Sequence, residues 1–138
     1  MLSISGLDVN IGPTPILREI SLNVPTGSMC GLIGRNGAGK TTLMRAIMGS
    51  LNAEGGEIVF DHLDLTKVNS HKRAHMGIGF MPEDRRLVPV LTAEENVLLP
   101  VWATGMKDVE DRLAWIYELM PEVAEFRSRG ATELSGGQ

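Results

Sequence analysis

The apolar residues of this chain keep a period of two at its start, run together in its middle and settle into a helical period towards its end. Over residues 2–9, Leu2, Ile4, Leu7 and Val9 alternate with polar positions around Gly6, which predicts a half-buried strand. Gly12, Pro13 and Pro15 interrupt it as a turn, and Ile20, Leu22 and Val24 then repeat every second residue before stopping at Pro25, Thr26 and Gly27. A second strand paired with the first is the expectation. Met29-Cys30-Gly31-Leu32-Ile33 is apolar on both faces, the pattern of a buried parallel strand, which makes Cys30 an inert core residue. Over 40–50 the period becomes helical, with Leu43, Ile47, Met44 and Met48 on the inner side and Gly49 near the end. Gly55 and Gly56 read as a turn, Ile58-Val59-Phe60 as a short strand, 66–75 as a polar helix, and Ile78-Gly79-Phe80-Met81 as a strand stopped by Pro82.

Beyond Pro89 the pattern is helical throughout. Thr92 with Glu95 three residues later predicts a capping box for a helix over 91–99. Val109, Leu113, Ile116 and Met120 share one face of a helix over 107–120, which Pro121 ends. The chain therefore divides into a mixed α/β part over 1–82, a linker over 83–90 and a helical part over 91–138. Ser135-Gly136-Gly137-Gln138 reads as the entrance to a helix that is not supplied, so the 138 residues are expected to be a fragment of a larger domain.

Composition narrows the class of protein. With 43% hydrophobic and 22% charged residues the chain has the balance of a soluble globular protein. Its formal net charge of −4 argues against a nucleic-acid groove. One cysteine excludes an internal disulfide, and no apolar run reaches the roughly 18 residues of a membrane span. The opening residues carry no signal peptide, and the expectation is a cytoplasmic protein.

The candidate chemistry lies between the apolar run and the first helix. Gly34-Arg35-Asn36-Gly37-Ala38-Gly39-Lys40-Thr41-Thr42 matches the phosphate-loop pattern in its required context. A polyphosphate needs several donors around it without side chains in the way, which glycine-loop amides and the positive end of a helix supply. Gly34, Asn36, Gly37, Ala38, Gly39, Lys40, Thr41 and Thr42 are the candidate phosphate-binding residues. Lys40 would reach the β and γ phosphates, and the Thr41 hydroxyl would coordinate Mg²⁺.

Leu134, Ser135, Gly136, Gly137 and Gln138 form a second motif, 95 residues beyond Lys40 when counted to Ser135. The two motifs in this order resemble the nucleotide-binding domain of ABC transporters. That resemblance implies an α/β phosphate-loop NTPase fold: the N-terminal part of an ABC ATPase domain, incomplete, with a mixed sheet carrying the loop and a helical subdomain. It also implies that LSGGQ contacts the γ-phosphate of ATP held by a second subunit. Met81-Pro82-Glu83-Asp84 falls where the family has its Q-loop, with Glu83 in place of the usual glutamine as a further Mg²⁺ ligand. The run GIGFMPEDRRLVPVLTAEENVLLP is similar to the ATPase subunits of branched-chain amino-acid importers.

The resemblance thus implies ATP and Mg²⁺ as ligands. It implies a second ABC ATPase subunit, like or unlike, and transmembrane permease subunits as partners. The chain would sit on the inner face of the plasma membrane through those permeases. The parent protein would hydrolyse ATP to drive uptake of branched-chain amino acids. Two alternatives stay open: the ATPase of a sugar or other importer, and a soluble ABC ATPase acting on nucleic acid or ribosomes, against which the acidic balance stands.

Other residues are set aside. In the family the metal-binding aspartate strand, catalytic glutamate, D-loop and switch histidine all follow LSGGQ, so these residues would hold no catalytic base. Ile11 stands where members often stack adenine on an aromatic residue. Ile58-Val59-Phe60-Asp61 imitates the metal-binding strand but is followed by His62. His71 and His75 have zinc-ligand spacing without a third ligand, and the HKRAH run is expected to be a solvated face.

Overall fold

A computed structural model describes residues 1–84 and 87–135, and the chain divides into two compact units, Met1–Ile78 and Gly79–Gln138. In the first unit β1 (Leu2–Ile11) and β2 (Thr14–Val24) form an antiparallel hairpin, and β3 (Gly55–Phe60) pairs with the other edge of β1. A two-residue strand, β4 (Leu63–Asp64), completes a sheet of order β2-β1-β3-β4. The β3–β4 turn is made by Asp61 and His62, both at positive φ, the backbone that a tight two-residue hairpin requires. Asp61 also pairs with the amino terminus of Met1, so the strand imitating a metal-binding element instead ends in a hairpin at the edge of an antiparallel sheet.

Two helices accompany this sheet, α1 (Lys40–Ile47) and α2 (Ser70–His75). The core consists of Ile4, Leu7, Val9 and Leu17 from the first hairpin, Ile58 and Leu65 from the second, and Leu43 and Ala46 from α1. The alternation read along β1 thus selects the face that α1 covers. Met44, expected on the inner side of α1, is exposed, and the buried positions are Thr42, Leu43 and Ala46.

Two expected strands are absent. Residues 29–33 form no strand; Met29 and Ile33 are fully exposed, and Cys30 is an exposed thiol, not a core residue. Residues 78–81 likewise form no strand. The physical reason is common to both. A run that is apolar on both faces becomes a strand only when neighbours satisfy its backbone on either edge. The four strands of this sheet pair only with one another.

The second unit contains α3 (Ala93–Thr104), α4 (Val109–Leu119), α5 (Pro121–Phe126) and a 3₁₀ turn at Ala131–Glu133. The capping box forms as the spacing predicts: Glu95 N–H donates to Thr92 Oγ1 at 3.2 Å, and Thr92 N–H donates to Glu95 Oε2 at 2.7 Å. The helix continues past the expected end at 99, through Pro100, to Thr104. Pro121 does end α4, and it also opens α5, where its missing N–H costs nothing. Ala93 N–H donates to Arg129 O at 2.9 Å and Ala131 N–H to Leu91 O at 2.9 Å, which close the unit on itself.

Tyr117 of α4 donates its hydroxyl to Glu94 of α3. Burial first, and that hydrogen bond second, push its phenol up from 10.0 to about 12. A raised acid group stabilises the fold in full below its unfolded pKa, and the contribution is lost as pH rises through the folded one. The tie is therefore whole below about pH 10 and lost towards 12. The chain has one tyrosine, so near-ultraviolet tyrosinate absorbance reads this group alone. A midpoint near 12 in buffer is expected, falling towards 10 in denaturant. Glu94→Gln should lower the native midpoint, and a native midpoint at the denatured value would remove the tie.

Candidate phosphate-binding site

The site begins where β2 ends. Pro25, Thr26 and Gly27 turn the chain, and Ser28 seals the turn by donating from its N–H and Oγ to Pro25 O at 3.2 and 2.7 Å. The backbone then runs without regular structure and exposed to Gly34, loops back through Ala38 N–H to Arg35 O at 3.2 Å, and enters α1 at Lys40. All residues from Gly34 to Ala38 are exposed.

Gly39 is the joint between loop and core. Its φ of 90° is left-handed, and a Cβ there would come within 2.7 Å of Leu17 Cδ2. Glycine therefore serves twice, once for the backbone angle and once for the close approach to β2. It caps α1 without any side-chain hydrogen bond, and the first turn holds no acidic residue. The amino end of α1 thus has no side-chain cap and no acidic side chain in its first turn against its positive end, a local field that favours an anion.

Lys40 completes the cradle. Its Nζ donates to Gly34 O at 2.7 Å and Arg35 O at 2.8 Å, so the ammonium lies across the mouth of the loop. Thr41 is exposed on the first turn, while Thr42 is buried beneath it. Gly34, Asn36, Gly37, Ala38, Gly39, Lys40, Thr41 and Thr42 are thereby brought into one loop and helix end. This donor set fits a polyphosphate: an open backbone loop, a flexible cation and no acidic residue in the first turn of α1. Among the described residues no group of three His, Cys, Asp or Glu side chains forms a metal site. Mg²⁺ commonly keeps waters and substrate phosphates as most of its ligands, and the Thr41 hydroxyl suits that mode.

Ile11 is exposed at the end of β1, before the turn at Gly12. Glu83 lies in an exposed turn of the second unit, and Leu134 and Ser135 follow the 3₁₀ turn there. Gly136, Gly137 and Gln138 lie outside the described residues. His71 and His75 are exposed on α2.

Arg73 departs from the solvated face expected of its run. It is 2% exposed, and its guanidinium donates to Val68 O and Ala46 O at 2.9 Å each and to Ile47 O and Leu65 O at 2.5 Å each. Burial pushes its pKa down, and the charge of Asp64 opposes this. The one sequence signal was that Arg73 shares a helix face with Met76, which packs on the core.

Residues 17–138 match the family model described as ABC transporter. The chain belongs to the ABC transporter family. It is 33% identical over 138 residues to the high-affinity branched-chain amino acid transport ATP-binding protein BraG of Pseudomonas aeruginosa, covering all of this chain and 59% of that protein. It is 38% identical over 126 residues to the methionine import ATP-binding protein MetN of Rhodopseudomonas palustris, covering 88% of this chain and 34% of the relative. Other family relatives are named for macrolide and lipopolysaccharide export. A dimeric ATP-binding cassette in a post-hydrolysis state, bound to ADP and Pi, is similar in structure with a TM-score of 0.81 at 25% identity, covering 100% of this chain and 65% of that one. The fold is thus that of part of an ABC ATPase cassette. The chain spans about half the length of the curated relatives it matches.

Proposed function

We propose that this chain binds Mg²⁺ and ATP as part of the ATP-binding subunit of an ABC importer. The observation that carries the reading is Lys40 poised across the mouth of an exposed, uncapped helix-start loop. In this reading residues 34–42 hold the phosphates, and Thr41 serves the metal. Leu134 to Gln138 act on ATP held by a second copy or a related subunit. The partition into a phosphate-loop core (1–82), a Q-loop-like linker (83–90) and a helical part (91–138) follows from those roles. In the same reading permease subunits would hold the chain at the inner face of the plasma membrane; no helix among the described residues is itself long and apolar enough to cross a membrane.

Branched-chain amino acids are the proposed cargo, supported by two relatives named for that transport and by the run around Glu83. The methionine importer's higher identity makes methionine the second reading. Uptake of labelled leucine and methionine by cells lacking the gene separates them: loss of leucine uptake alone supports the first, and loss of methionine uptake alone overturns it.

The binding itself is tested by competition. Phosphate donors dominate this site and the residue at the base position is aliphatic, so ATP and pyrophosphate should both bind. AMP should bind at least about tenfold more weakly than ATP, and GTP within about threefold of it. AMP binding as tightly as ATP would refute a phosphate-centred site.

A further inference from the structure

The carboxyl end of α1 is held by a charge from another element. The last-turn carbonyls of a helix lack intrahelical partners and carry the negative end of its dipole. At α1 the Ala46 and Ile47 carbonyls both accept from Arg73, across 27 and 26 residues of sequence. The same guanidinium holds Leu65 O and Val68 O, in the segment joining β4 to α2. It lies directly over Gly49, where a Cβ would come within 2.8 Å of Cζ, so no side chain fits between the helix end and the cation. Among the described residues no carboxylate forms an ion pair with it; four carbonyls accept its hydrogen bonds, and the Asp64 carboxylate adds a favourable charge at longer range.

Resting on the phosphate-site reading above, we propose that Arg73 is a positioning residue for phosphate binding: it fixes α1 along its axis by its far end, and so fixes Lys40, Thr41 and the loop amides at its near end. The helix is eight residues long, and a rigid rod of about 12 Å transmits a displacement of one end to the other. Gly39 gives little slack, because it is packed against Leu17. A shift of the carboxyl end therefore moves the donors at the amino end. Arg73 touches no phosphate itself; its effect is exerted through α1.

The test uses the whole chain, with ATP and inorganic pyrophosphate as probes. Wild-type protein should bind both and lose both in Lys40→Ala; failure there overturns the phosphate-site reading and this inference with it. Once that holds, folded Arg73→Met should bind both probes about tenfold more weakly, as expected of a coupling free energy of ordinary size. Arg73→Lys, with fewer donors but the same charge, should recover part of the loss. Wild-type affinity in folded Arg73→Met overturns the inference alone and leaves a structural clamp. Should Arg73→Met fail to fold, the wild-type chain decides, because coupling is reciprocal. Pyrophosphate should then slow exchange of the Arg73 Nε–H, read by nuclear magnetic resonance, more than it slows the amides of β1. Equal or absent protection overturns the inference.

Discussion

Lys40→Ala is expected to weaken ATP binding by about a hundredfold or more. In the free chain the ammonium donates to Gly34 O and Arg35 O, two neutral carbonyls at an exposed loop mouth. Phosphate oxygens carry full negative charge where carbonyl oxygens carry only a dipole, so the ammonium gains an ion–ion attraction that the carbonyls do not offer. Exchanging carbonyls for phosphates is therefore favourable, and the flexible stem lets Lys40 make the exchange without moving α1. Losing contacts to two phosphates, at about 1.5 kcal/mol or more each, gives the stated factor. Stability should change little, because both present acceptors are exposed backbone groups that water can satisfy. Titration calorimetry with ATP, beside circular dichroism to show an unchanged fold, makes the measurement. Binding of the variant within about threefold of wild type would mean that phosphates are not held by Lys40.

The loop geometry of this candidate site was legible because it is local: nine consecutive residues set the loop, the cation and the helix start. The capping box at Thr92 and Glu95 was legible for the same reason, since both partners lie within one turn. The strand expected over 29–33 failed because strandedness belongs to a pair, and a run of apolar residues does not carry its neighbours with it. Only half of the β3–β4 hairpin has a local signal: Ile58-Val59-Phe60 marks one strand, but Asp61-His62 lacks the glycine that marks such turns, so nothing local signals the two-residue return at Leu63 and Asp64. Arg73 was hidden by the most general rule of all, that a charged residue in a polar run faces water. Its burial depends on Ala46 and Ile47 carbonyls far away in sequence, and no local pattern encodes them.

The second large effect is expected at Gly39, where fold and site share an atom. Gly39→Ala forces a Cβ onto a residue at φ 90°, in a region that costs a side chain about 1–3 kcal/mol. The new methyl would lie 2.7 Å from Leu17 Cδ2, and Leu17 is 4% exposed within the core of β1, β3 and α1. A flexible side chain could swing aside at a surface, but here the neighbouring packing resists it, and overpacking adds about 1–3 kcal/mol. The combined cost of about 2–6 kcal/mol is a large share of the roughly 5–15 kcal/mol that holds a domain folded. Relief comes either from Leu17 moving into the sheet or from α1 moving away from it. The second displaces Lys40 and the first-turn amides, so ATP affinity should fall together with the melting temperature. Gly31→Ala supplies the control, because a Cβ at Gly31 meets nothing within 4 Å and its backbone is not left-handed. Urea unfolding and ATP titration of the two variants side by side should find Gly31→Ala close to wild type and Gly39→Ala impaired in both. Equal behaviour of the two would show that the contact between the phosphate loop and β2 carries neither stability nor binding.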